Sequence, residues 1–497
     1  MSGSRTPLVV PLDGQTTLTR ETLGNKGYGI NTMRSLGLPV PPAFAITTAV
    51  TAVDDVWDDV CAGLADLERV TSKTFGAGPR PLLVSVRSGA AQSMPGMLDT
   101  VLDLGMNDAV QHALTAWASA RFADDTRRRF DTMYRRIVLD GDPSCPIPDD
   151  PHAQLRGAVE AVVASWHSAR ARTYRAHHRL DDSAGTAVVV QAMVFGNLDQ
   201  HSGTGVLFTR NPVTGSDEPF GEWLPGGQGE DVVSGTTDVE PITALQHEQP
   251  HVYDQLMAAA TLLETNGRDV QDIEFTVEDG TLWLLQTRAA KRSAQAAVRL
   301  ALAFRDEGLI DDEQTLRRVT PDQVRTLLEP GLQPEDRLAA PLLATGLSAC
   351  PGVVSGRAYT DVDAALDAAD DGEDVILVRP STSPEDVAAM IAARGVITEI
   401  GGATSHAAVV SREIGRPAVV GCGHGVANAL EGRIVTVDGA AGEVRQGVLH
   451  LTVWDEHDND DLVALAALAR AVLGRSAADA PSLPALLTAI HSGGEQR

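Results

Sequence analysis

The sequence predicts a multidomain α/β (α+β) chain. Three observations predict it. At 497 residues the chain is longer than one hydrophobic core usually serves. Short apolar runs alternate with glycine-bearing turns over residues 1 to about 110 and again from 187 to 288, and a separate stretch of the same texture runs from about 342 to 451.

In chain order, the runs LVV (8–10), GNKG (24–27) and LLVSV (82–86) set the first α/β texture. From about 115 to 180 the period becomes helical, with arginine-rich polar faces such as RFADDTRRRF (121–130), so a helical insertion is expected there. The strand-like run AVVVQAMV (187–194) resumes the first unit, which is expected to close at about residue 290. Residues 291–337 read as a helical connector ending in the breakers Pro330 and Gly331. A second α/β unit is expected over 338–451, with strand candidates VILV (375–378), GVIT (395–398) and IVTV (434–437). Residues 452–497 form an alanine- and leucine-rich helical tail.

Composition excludes several classes. Hydrophobic residues make up 43% and charged residues 22%, the balance of a packed globular chain rather than a disordered one. With 67 acidic against 40 basic residues the formal charge is −27, which argues against nucleic acid and anionic membrane as partners. A chain so acidic can hold a polyanion only by gathering its few Lys and Arg locally and adding a metal ion. The cysteines, Cys61, Cys145, Cys350 and Cys422, have neither zinc-site spacing nor disulfide density. No basic-then-apolar leader opens the chain and no run is apolar enough to span a bilayer, so a cytoplasmic protein is expected.

The sharpest signal is GGATSHAAVVSR (401–412), which follows a predicted strand and enters an apolar helix. Thr404 or Ser405 can cap that helix, placing His406 in its first turn among unpaired backbone N–H groups. A phosphoryl group on an imidazole nitrogen is an anion suited to a helix N-terminus, and the two glycines permit close backbone approach to it. With a reference pKa of about 6.5, histidine offers a neutral lone pair near neutral pH without a strong base.

A second constellation comes from strand geometry. If Glu278, Asp279 and Gly280 form a three-residue hairpin loop, residue 277 pairs with 281 and even-numbered positions share a face. Asp272, Glu274, Gln286 and Arg288 then converge, while Ile273, Phe275, Val277, Trp283 and Leu285 point into a core. Two carboxylates, an amide oxygen and a guanidinium on one face suit Mg²⁺ and nucleotide phosphates, although a solvated sheet face has the same pattern. Lys26, between glycines, and Arg87, at a strand end, can each reach phosphate oxygens; alone, Lys26 is more often a surface lysine in a turn, and the alternative for Arg87 is a surface ion pair.

These residues lie in stretches that resemble one family. Residues 401–412 resemble the phosphohistidine signature shared by pyruvate phosphate dikinases and phosphoenolpyruvate synthases, and VILVRPSTSPED (375–386) resembles the central domain of the same proteins. GNKG (24–27), SVRSGAA (85–91), SMPGMLDT (93–100), GTGVLFTRNP (203–212), QGEDVV (228–233) and residues 272–292 are similar to pyruvate phosphate dikinase specifically. The resemblance implies an ATP-grasp domain over 1–290 with a helical insertion, a helical hinge, and a swivelling phosphohistidine domain over 338–451. It implies that Lys26, Arg87, Asp272 and Arg288 bind ATP, that Glu274 and Gln286 hold Mg²⁺ at that site, that Gly96 and Thr100 belong to a lid over the phosphates, and that Gln191 lies beside the adenine. His406 would take the β-phosphate of ATP, releasing AMP and forming a pyrophosphohistidine whose terminal group passes to inorganic phosphate or water, with phosphate favoured. Thr404 matches a threonine that some family members phosphorylate as an off switch.

Members of the family carry a C-terminal barrel for pyruvate or phosphoenolpyruvate. About fifty residues past the second unit cannot encode one, so the acceptor is expected on a separate subunit, or to be another small molecule admitted directly. A homodimer remains open. The alternatives are an antibiotic or metabolite phosphotransferase and a non-catalytic nucleotide-binding regulatory module.

Overall fold

The computed structural model describes residues 7–492 apart from 93, 95–96, 179, 235–238, 329–330, 333–339, 450, 453–458 and 475–480. Its first part holds two antiparallel five-stranded sheets. One runs, in spatial order, through Val9–Pro11, Ala43–Ile46, Ala187–Ala192, Val84–Gly89 and Thr100–Leu104. The other runs through Glu240–Pro241, Phe220–Pro225, Gly203–Phe208, Gln271–Glu278 and Thr281–Ala289.

The helix Arg20–Ser35 joins these sheets. Its Leu23, Ile30 and Met33 share one core with Ala45 and Val189 of the first sheet and with Phe275 and Leu284 of the second. Gly24 makes this seating possible: it has φ +68, and a Cβ there would lie 1.8 Å from the carbonyl oxygen of Gly89. Lys26 is thereby brought beside the end of the strand that carries Arg87.

Four helices, Asp108–Trp117, Ala120–Ile137, Pro151–Ser165 and Ala169–His178, stand between the last strand of the first hairpin and the strand Ala187–Ala192. Asn107, Ser119 and Asp150 cap the first three with their side chains. The periodic apolar residues Phe122, Phe130 and Tyr134 fill the core over the first sheet together with Leu155 and Val159.

The second α/β unit is built on an eight-stranded sheet. Its centre, Val353–Tyr359, Val375–Arg379, Gly395–Thr398 and Ala418–Val420, is parallel, as crossover helices require. The buried strands are nearly continuous in valine, isoleucine and leucine, which is why their sequence shows runs rather than alternation.

The connector and the tail pack together. Val298, Leu316 and Val324 from the helices between 294 and 327 share one core with Leu465, Leu468, Leu486 and Leu487 from the helices Asp460–Leu473 and Leu483–Ser492. Gly331–Leu332, leading into the second α/β unit, pairs antiparallel with Leu451–Thr452, leading out of it. That unit is therefore tethered at both ends to one helical body. Among the described residues no helix is long and apolar enough to cross a membrane.

Candidate active site

The hairpin 271–289 departs from its expected register, and the departure explains the site. Glu278 pairs with Thr281, so the turn is the two-residue Asp279-Gly280 with φ +47 and +72, the conformation that an Asp-Gly pair favours. This puts Leu282 and Leu284, rather than Trp283 and Leu285, into the core with Phe275 and Val277. A bulge at Leu285 then restores the phase, so that Glu274 pairs with Gln286 and Asp272 with Arg288. The four polar residues converge on one face because a shorter turn and a bulge offset one another.

On that face the charges are mutually satisfied. Arg288 grips Asp272 through Nε at 2.8 Å and a terminal nitrogen at 2.7 Å. Arg87 reaches across from the first sheet, donating to Glu274 Oε2 at 2.8 Å and approaching Gln286 Oε1 at 3.5 Å with the same nitrogen. Arg87 pairs in register with Thr100 on the neighbouring strand. Burial, then the nearby Arg87 guanidinium, lowers Lys26 to about 7, with Arg288 acting in the same direction and Glu274 against both. With Arg87 and Arg288 paired to carboxylates, Lys26 is the group that an added anion would most help to stay charged. Burial raises the Asp272 carboxyl against the pull of Arg288; at Glu274 burial is outweighed by Arg87, Arg288 and Lys26, and the carboxylate is held below its usual value.

Glu274 Oε2 and Gln286 Oε1, on directly paired residues, both face one terminal nitrogen of Arg87, at 2.8 and 3.5 Å; a carboxylate and an amide oxygen are donors of the kind a hard divalent cation takes, and the guanidinium would have to yield its place to one. Gln191 is buried two strands from Thr100, its amide donating to the Pro41 carbonyl at 3.2 Å. Gly96 lies outside the described residues.

In the second unit, Ser405 caps the helix His406–Ile414 by accepting from the Ala408 N–H, a contact of a kind that contributes about 0.5–2 kcal/mol. His406 begins the helix. Its Nδ1 lies 3.1 Å from Thr382 Oγ1, and its buried Nε2 has no hydrogen-bond partner among the described residues. Burial lowers the imidazole below its ordinary pKa, against the nearby charges of Asp386 and Glu385.

The second unit is docked on the first. Thr404 donates its hydroxyl to Glu222 of the strand Phe220–Pro225, and the backbone of Ala403 and Thr404 donates to the same carboxylate. The carboxylate comes so close because residue 402 is glycine: a Cβ there would lie 1.9 Å from Glu222 Oε1 and would push the side chain aside. An anion does sit against the glycine turn as its backbone geometry invites, but in this docking it is the Glu222 carboxylate. Arg412 spans the same boundary: it donates to the carbonyls of Ala349 and Ala403, and its guanidinium lies 5.8 Å from the Phe208 ring. Ala407, Ala408 and Val410 share a single apolar cluster with Met97, Trp166, Ala171 and Tyr174 of the first part.

Nothing in the sequence alone assigns a role to Thr382, Glu222 or Glu413. Thr382 lies within a recognised stretch and could have been found as the partner of a ring nitrogen. Glu222 and Glu413 acquire meaning only when two domains meet.

Two sheets thus flank a cluster of paired charges, and a histidine-bearing α/β unit is docked against the part that holds it. Residues 52–254 match the pyruvate phosphate dikinase AMP/ATP-binding domain, and residues 371–442 match the mobile domain of PEP-utilising enzymes. The chain is 40% identical over 504 residues to pyruvate, phosphate dikinase of Rhizobium meliloti (strain 1021), covering 86% of this chain and 56% of that protein. It is 39% identical to the Clostridium symbiosum protein of the same name, with the same coverage, and 39% identical to the chloroplastic pyruvate, phosphate dikinase 1 of Zea mays, covering 88% of this chain and 52% of the relative. The chain belongs to the pyruvate phosphate dikinase family. It spans about half the length of the curated relatives it matches.

Proposed function

We propose that this chain performs the ATP half of a dikinase reaction, in which MgATP phosphorylates His406 and the phosphoryl group then passes to pyruvate or another acceptor held elsewhere. The observation that carries the reading is the state of the His406 ring: one nitrogen tethered to Thr382, the other buried and unpartnered. In the tautomer with its proton on Nδ1, that N–H donates a hydrogen bond to Thr382 Oγ1 and the lone pair lies on Nε2, the nitrogen that attacks.

Nε2 forms its bond to the β-phosphorus as the bond from that phosphorus to the bridging oxygen of the α-phosphate breaks, and AMP leaves with the oxygen. Inorganic phosphate then attacks the terminal phosphorus of the pyrophosphohistidine, and pyrophosphate departs, leaving phosphohistidine. Lys26, Arg87 and Arg288 bind the phosphates and stabilise the charge developing on them. Mg²⁺, held by Glu274 and Gln286, would neutralise part of the nucleotide charge. Once loaded, the histidine must leave the nucleotide site, and the paired strands at 331–332 and 451–452 are the natural pivot. The free cysteines fit a reducing cytoplasm.

ATP labelled separately at the β and γ positions tests the scheme. Retention of β label alone on the protein after phosphate is added, with AMP and pyrophosphate released, supports it; retention of γ label alone, with ADP formed, refutes it.

A further inference from the structure

His406 and Glu413 stand seven residues apart on one helix, which is two turns and roughly 10 Å along the axis, so both occupy the same face. That face is turned toward the nucleotide-binding part. Glu413, 6% exposed, accepts at Oε1 from the Tyr174 hydroxyl at 2.5 Å and from Lys291 Nζ at 2.6 Å. Tyr174 belongs to the inserted helix Ala169–His178, and Lys291 lies three residues beyond Arg288 of the phosphate cluster. One carboxylate oxygen of the carrier domain is thus shared by two separate elements of the nucleotide domain.

Both ends of the His406 region are consequently pinned across the boundary: Thr404 to Glu222 just before the histidine, Glu413 to Tyr174 and Lys291 two turns after it. The other carboxylate oxygen of Glu413 is buried without a hydrogen bond among the described residues, so the charge depends on the Oε1 contacts while the domains are together. Burial, then the Glu413 charge, raises the Tyr174 hydroxyl well above its ordinary pKa, which keeps it protonated and donating. A buried charge that loses its partner is strongly unfavourable, whereas undocking returns it to water. Such a contact is either fully made or not made.

We propose that Glu413 is a positioning residue: by engaging Tyr174 and Lys291 it sets the rotation and height of the carrier helix, and hence of His406, over the nucleotide site. This rests on the reading that His406 is phosphorylated there. The contact gives the docked state a defined register without placing a charge on the reacting atoms.

The test uses the full chain and the variants Glu413→Lys, Lys291→Glu and the two combined. Wild type treated with a carbodiimide should yield a peptide in which Lys291 is joined directly to Glu413. In Glu413→Lys the rate of label transfer from ATP to His406 should fall about 10- to 100-fold, as expected for a misplaced reacting group, while ATP affinity stays within about twofold. The charge-swapped double variant should recover a large part of the rate, which a merely misfolded domain would not do. Labelling of Glu413→Lys at the wild-type rate, or a double variant no faster than the single ones, overturns the proposal. Wild type that forms the cross-link but takes no label overturns the phosphorylation reading, and the positioning role with it, leaving the contact as packing.

Discussion

Thr382 Oγ1 lies 3.1 Å from Nδ1 of His406 and so holds one ring nitrogen while Nε2 is left without a hydrogen-bond partner among the described residues. Replacing it by the isosteric valine removes one hydrogen bond from a buried site. Such a bond contributes about 0.5–1.5 kcal/mol net, so Thr382→Val should slow phosphorylation of His406 roughly 3- to 10-fold without unfolding the chain. Thr382→Ser should restore most of the rate. Single-turnover labelling of the three proteins is the measurement.

The pH dependence follows from the same ring. Burial lowers the His406 pKa below 6.5, so the reactive neutral form is retained further into acid than for an exposed imidazole. With MgATP bound, whose charge keeps Lys26 protonated, labelling should fall toward acid with a midpoint below 6.5, because protonation of Nε2 removes the attacking lone pair. A single-turnover pH profile checks this; a midpoint at or above 7 is the opposite result.

The Glu222–Thr404 contact carries its own consequence. Thr404→Asp would set a second carboxylate against Glu222, whose own carboxyl burial already pushes upward. It should slow labelling by about 10-fold or more, while Thr404→Asp combined with Glu222→Gln should recover part of the loss. A phosphate on Thr404 would act in the same sense, which gives the expected off switch a physical basis. Because Thr404 is buried in the docked arrangement, its modification requires the domains to part.

Glu274→Gln exchanges a charged oxygen donor for a neutral one opposite Gln286. The Mg²⁺ concentration giving half-maximal labelling should rise by about tenfold, in line with the dependence of affinity on ligand charge. Titrating the metal at saturating ATP distinguishes this from a general loss of activity.

How much of this could be read from the sequence differs by element. The helix start at His406 was legible because capping is local chemistry, and so was the run-like texture of the parallel strands. The convergence of Asp272, Glu274, Gln286 and Arg288 holds although the three-residue loop expected to produce it does not form: Asp279-Gly280 signals a two-residue turn, and the bulge at Leu285 that offsets it leaves no mark in the periodicity. The common core of the helices around Val324 and Leu486 was hidden because more than a hundred residues separate its halves. Glu222 and Glu413 were silent for a related reason, since contacts between domains follow no sequence period.

The most direct measurement is peptide mapping of the full chain after brief exposure to MgATP, on wild type and His406→Ala. The account predicts an acid-labile phosphoryl group on Nε2 of His406, with AMP formed in wild type and neither label nor AMP in the variant. A phosphoryl group on any other residue, or AMP production at the wild-type rate without His406, would contradict it.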